Sequence, residues 1–266
     1  ASTPSCRPTK PSFSVVVALT DTSSAAMPIA AASVRRIASM CGFTFGRCRQ
    51  SVQSTLPMRY PFAESSSTVR RNRILLSIPL KSSDGKKDAA ILYCLDSHSY
   101  SQIKGIGGYD YIKFDQIRWY RENSAKYTKQ NGGTPLPSLA FFHIALPEYN
   151  QAASDETAIL VGTRKEKACA PQLNSGMFAS MKEMGDMLGV FVGHDHDDDY
   201  AVFWKGILLA YGRYTGGDTV YNNLSNGARV IEMTEGSTSF KTWIRLKGGE
   251  VINPVNYPSD FIKKKD

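Results

Sequence analysis

The sequence predicts an α/β protein in which a layered sheet carries helices on its outside. Three observations predict it. Apolar strand-like runs alternate with helical patterns from about residue 78 to residue 193, and then follow one another directly to about residue 246. Glycine- and asparagine-rich turns separate the later runs. Hydrophobic residues make up 42% of the 266 positions and charged residues 21%, which suffices for a core and excludes wholesale disorder.

Taken in order, Ser82-Ser83-Asp84-Gly85-Lys86-Lys87 is a polar turn between two apolar runs and predicts a hairpin. Ala89 to Leu95 is nearly all apolar, as in a strand buried on both faces. It ends at Asp96-Ser97-His98. Residues Ile112 to Lys129 place Ile117, Trp119 and Tyr120 among charges, which predicts an amphipathic helix, and Asn131-Gly132-Gly133 stops it. Leu139 to Ile144 is a second apolar run, broken by Pro147. A second helix is expected after Asn174 or Ser175 as N-cap, with Met177, Phe178, Met181, Met184 and Leu188 as its stripe. Val190-Phe191-Val192-Gly193 reads as a short buried strand opening onto His194-Asp195-His196-Asp197-Asp198-Asp199. Strands are then expected at Ala201–Trp204, Ile207–Tyr211, Ala228–Met233 and Lys241–Leu246. No run approaches the ~18 apolar residues of a membrane span; Val15 to Leu19 is short and lacks a clean cleavage pattern.

The excess charge of +8 lies wholly in residues 1–80, which hold nine Arg, one Lys and only two acids, Asp21 and Glu64. The remainder is balanced and carries all four histidines and all three tryptophans. Residues 1–77 are therefore set apart from a globular region, 78–266. Three readings of the first stretch stand. As a basic arm for nucleic acid it is weak, because the bases are scattered and lack interleaved aromatics. It also suits a disordered or targeting extension. Its scarcity of acids, surplus of Ser and Arg and lack of period fit translation out of frame best. Five cysteines without a CxxC exclude a dense disulfide framework or a cysteine zinc finger; Cys94 and Cys169 read as buried small hydrophobes.

The sharpest chemical feature is His194-Asp195-His196. In an extended segment both imidazoles point to one side, which makes a pair of metal ligands just past a strand end. Asp195, Asp197, Asp198 and Asp199 favour a cation, and some would orient the rings; the competing reading is a solvated acidic loop. His143 ends another bulky apolar run. His98 follows Ala89–Leu95 similarly, but three residues past the run. Strand ends that share one rim of a sheet are where α/β proteins place their sites.

The ordered set Phe141-Phe142-His143-Ile144, Leu146-Pro147-Glu148-Tyr149, Asn174-Ser175-Gly176, Gly193-His194-Asp195-His196 with Asp199-Tyr200, and Tyr211-Gly212-Arg213-Tyr214 with Gly216-Gly217 resembles the C-terminal portion of calcineurin-like metallophosphoesterases, in their purple-acid-phosphatase-like branch. The resemblance covers about residues 78–250. It implies a β-sandwich of two mixed sheets flanked by helices, incomplete here at its N-terminus. It implies a pair of iron, manganese or zinc ions hydrolysing a phosphate mono- or diester, with His143 and His194 on one metal and His196 on the other. Asp195, Asp199 and Asn174 would support the ligands or the substrate. A secreted or vacuolar location would follow. The family's earlier motifs, Asp-x-His, Gly-Asp-x-x-Asp and Gly-Asn-His-Asp, are absent from residues 1–80, which contain no histidine. One metal or none is therefore expected, with an inactive metal- or phosphate-binding fragment as the alternative.

Overall fold

A computed structural model describes residues 75–215 and 224–262, together with the backbone of strands 12–19 and 43–45. The three readings of residues 1–77 and the Gly216-Gly217 element fall largely outside these. Strands are β1 (Ser12–Leu19), β2 (Phe43–Phe45), β3 (Leu76–Lys81), β4 (Asp88–Cys94), β5 (Ser138–Phe141), β6 (Leu160–Val161), β7 (Met187–Val192), β8 (Ala201–Trp204), β9 (Ile207–Tyr211), β10 (Gly227–Thr234), β11 (Phe240–Leu246) and β12 (Val251–Tyr257). Helices are α1 (Phe114–Gln130), α2 (Glu148–Ala153) and α3 (Met177–Met184). No helix among the described residues is long and apolar enough to cross a membrane.

The strands form two sheets. One runs β3-β4-β5-β7-β9-β8-β6, with β4, β5, β7 and β9 mutually parallel and antiparallel pairs at both sides. The other runs β12-β11-β10-β1-β2 and is antiparallel throughout. The expected layered sandwich is present; of its two sheets, only the first is mixed among the described strands.

Successive strand residues face opposite layers. Leu92, Cys94, Leu139, Phe141, Phe191, Leu208 and Ala210 point into the space between the sheets, against Ile231, Met233, Phe240, Val255 and Tyr257. Phe141 stacks on Phe191, with ring centroids 5.4 Å apart, and Phe191 meets Phe240 of the opposite sheet at 6.2 Å. Burying a side chain of this size stabilises by roughly 1.5–3 kcal/mol. Gly189 allows the approach, because a Cβ there would come within 3.0 Å of the Phe191 ring. The alternate residues Ile91, Tyr93, Ala140, Val190, Val192 and Leu209 face the helices.

Helix α1 buries Gln116, Ile117, Trp119, Tyr120, Asn123, Ser124 and Tyr127, a stripe at helical spacing. Tyr93 of β4 meets Trp119 and Tyr120 edge-on, at 6.1 and 5.1 Å. The helix ends at Asn131, followed by Gly132 and Gly133 at positive φ, as expected. Helix α3 differs from expectation at both ends. Its N-cap is Gly176, while Asn174 accepts the Gly176 N–H at 2.9 Å in a turn just before it. It stops at the left-handed Gly185, so Leu188 lies in β7. Pro147, read as a breaker, is the N-cap of α2.

Candidate metal centre

The parallel register sets the site. Because β4, β5, β7 and β9 run the same way, their C-terminal ends share a rim, and the ladder continues past them. Leu95 N–H donates to the Phe141 carbonyl at 3.0 Å, Phe142 to Phe191 at 3.2 Å, Gly193 to His143 at 2.9 Å and Gly212 to Val192 at 2.8 Å. The His143 backbone is thereby fixed beside Gly193. His194, the next residue, adopts a left-handed backbone (φ 75°), a conformation that costs a non-glycine residue on the order of 1–2 kcal/mol. This turns its ring onto His143: the His194 Nδ1 and His143 Nε2 atoms are 3.0 Å apart, with the rings nearly perpendicular. Tyr109 and His194 meet edge-to-face, with ring centroids 4.5 Å apart.

The premise of an extended His-x-His does not hold. Asp195 N–H bonds the Gly193 carbonyl at 2.9 Å and Asp198 N–H bonds the Asp195 carbonyl at 3.3 Å, so the segment is a compact turn. The ring of His196 lies against Tyr214 at 4.4 Å. Two of the three predicted histidines therefore meet through ring nitrogens, and the third stands on the same turn against its own aromatic wall.

Nor is the acidic run solvated. Asp195, Asp198 and Asp199 are buried, and they fasten the segment 163–169 across the histidine turn. Asp195 accepts the Cys169 N–H with both oxygens, at 3.3 and 3.2 Å, and the Tyr211 hydroxyl at 2.5 Å. Asp198 accepts from the N–H groups of Lys165 (2.8 Å) and Glu166 (3.2 Å). Asp199 accepts from Thr163 at 2.6 Å and pairs with the buried Arg213. Gly162 is required here, since a Cβ on it would lie 2.9 Å from the Asp199 carboxylate. Arg229, fully buried, donates to the carbonyls of Asp199 and Tyr211 and ties this turn to the second sheet. Asp195 and Asp199, expected to support ligands, thus organise the loop that overlies them.

Asn174 is exposed and donates to Glu148 at 2.7 Å, in a small cleft also lined by Ser97, Asp110, Ile144 and Pro171. His98 is held apart: its Nε2 lies 2.7 Å from Gln116 Oε1, and its own N–H donates to Asp96. The Gln116 amide nitrogen donates to the Asp96 carbonyl, so Oε1 is the acceptor and His98 Nε2 carries the proton. Cys169, read as a buried small hydrophobe, is half-buried beside His194 and Asp195; Cys94 is buried as expected.

Burial holds the His194 imidazole below its ordinary pKa, against the opposing pull of Asp195 and with help from His196, which favours the neutral ring. Burial, eased by the two backbone donors, raises Asp198 to about 6. The Cys169 thiol is pushed up to about 12 by burial and by Asp195. Tyr109 is likewise raised to about 12, by burial and by Tyr100.

No family model matches the chain. It is 33% identical over 163 residues to "Probable inactive purple acid phosphatase 14" of Arabidopsis thaliana, covering 57% of this chain and 39% of that protein. It is 34% identical over 181 residues to "Phosphatase DCR2" of Saccharomyces cerevisiae, covering 62% of this chain and 30% of the relative. The solved structure of a dimetal phosphatase from Danio rerio aligns with 68% of this chain and 60% of its own, at 9% identity and a TM-score of 0.43. Over the aligned part of its length the chain is similar to purple-acid-phosphatase-like proteins, which supports a calcineurin-like metallophosphoesterase there. It spans about two fifths or less of the length of those curated relatives.

Proposed function

We propose that this chain carries the imidazole-bearing portion of a metal-dependent phosphoesterase site, with a small phosphate mono- or diester as substrate. The observation that carries the reading is the 3.0 Å approach of two imidazoles on adjacent parallel strand ends. Two nitrogens at ~2.1 Å from one ion and roughly at right angles are about 3 Å apart, so the pair fits a single iron, manganese or zinc ion. His143 and His194 would hold that ion, and His196, on the same turn, would serve a second one. Such ions supply an acidified water and stabilise the charge that develops on the transferred phosphoryl group. The protein's own part is to favour the neutral His194 ring by burial and to fix both residues through the Gly193–His143 backbone bond.

A second reading, a metal- or phosphate-binding module without turnover, is favoured by the carboxylates. Asp195 and Asp199 are engaged by Cys169, Tyr211, Thr163 and Arg213. The name of the plant relative also includes the word inactive.

An assay of the full chain with manganese or zinc on an aryl phosphate separates the two. Turnover that disappears in His194→Ala and His196→Ala supports the enzyme, with about two ions per chain by elemental analysis. Full metal occupancy with no turnover sinks it and leaves the binding module.

A further inference from the structure

Cys169 is built into the same place as the histidine turn. Its Sγ, a ring nitrogen of His194 and an oxygen of Asp195 all lie within 4.8 Å of one another. We propose that Cys169 is a sulfur donor to the cation at this turn, giving it mixed sulfur, nitrogen and oxygen ligation and a preference for zinc-class ions. The inference rests on the reading that His194 binds metal.

The position is held from several sides. Ala170 N–H bonds the Ala168 carbonyl at 2.8 Å, which makes Cys169 the apex of a tight three-residue turn. Its N–H is gripped by both Asp195 oxygens. Upstream, the same segment is tied down by Thr163, Lys165 and Glu166, which donate to Asp199 and Asp198. A donor on a segment anchored this way is preorganised, as a metal ligand needs to be.

Sulfur is the donor that selects. Thiolate favours zinc and comparably soft ions, whereas an all-oxygen site would suit magnesium or calcium. On binding, the Cys169 S–H bond breaks, an S–metal bond forms and the proton passes to solvent; no electron is transferred. The other described cysteine, Cys94, is buried between the sheets and offers nothing here.

The test is a cobalt(II) titration of the full-length chain under reducing conditions, read by the near-ultraviolet thiolate-to-cobalt absorption. The wild type is expected to show it. Cys169→Ser, with its circular dichroism unchanged, is expected to lose the absorption and to bind cobalt at least ~10-fold more weakly. A wild type that binds cobalt without this absorption, or a variant that retains it, overturns the assignment and leaves the histidine pair standing. A wild type that binds no cobalt overturns both. A measurement without a variant checks the result: zinc, and not magnesium, should slow alkylation of Cys169 at least ~10-fold. An unchanged rate with zinc bound contradicts the proposal.

Discussion

The two rims of the seven-stranded sheet both bury carboxylates, and they use them differently. Where β5 and β7 begin, Asp186 accepts the Tyr120 hydroxyl from α1, while its carbonyl accepts the Ser138 N–H at 2.9 Å. That rim is closed: one carboxylate fastens one helix to the sheet. Where β4, β5, β7 and β9 end, three carboxylates fasten a loop, and above them two imidazoles face each other through ring nitrogens. The comparison teaches that burial of acids marks fastening at either end. What distinguishes the candidate site is nitrogen donors brought together by parallel register.

The comparison can be broken most severely at Arg213. Arg213→Ala leaves Asp199 buried without its cation and is expected to cost about 3–5 kcal/mol in urea unfolding. The double variant with Asp199→Asn should recover part of that loss. Equal stability of wild type and Arg213→Ala would show that the carboxylates do not hold the loop.

The opposite rim yields a pH effect. Burial raises the Asp186 pKa above its ordinary value, against the lowering pull of the Tyr120 and Ser124 hydroxyls. A raised folded-state pKa means that the native protein binds the proton more tightly than the unfolded chain. The stability this contributes is complete below about pH 4, the unfolded value, and is lost as pH rises through the folded value. Asp186→Asn should therefore flatten the stability profile above about pH 4 without altering metal affinity. A wild-type profile that rises where the variant is flat would reverse the sign of the argument.

The smallest effect concerns the histidine that shares a strand end but not the site. His98→Asn tolerates the positive φ of 64° and loses the Gln116 bond, so about 1 kcal/mol of stability should go. Zinc affinity should stay unchanged. A fall in affinity would place His98 in the centre.

Much of this fold was legible. The runs at 89–95, 201–204 and 207–211 each became strands within a residue of expectation, because period and apolarity there agree with burial on both sides. β12 was not legible: Asn253 at positive φ and Pro254 interrupt its pattern, and only pairing with β11 makes it a strand. At the site, His143 and His194 could be placed on one rim by counting strand ends. The roles of the aspartates could not be read, because their partners at Thr163, Lys165, Glu166 and Cys169 lie 26 to 36 positions away in sequence. For the same reason Cys169 carried no signal: an isolated thiol among lysines becomes notable only once Asp195 grips its backbone.

Zinc binding to His143→Ala, measured by calorimetry beside the wild type, tests the imidazole pair most directly. The expected result is an affinity for the tightest-bound ion at least ~100-fold weaker in the variant than in the wild type, since a lost ligand should cost no less than a lost supporting contact. An unchanged affinity, with the ion still bound through His194, would contradict the account.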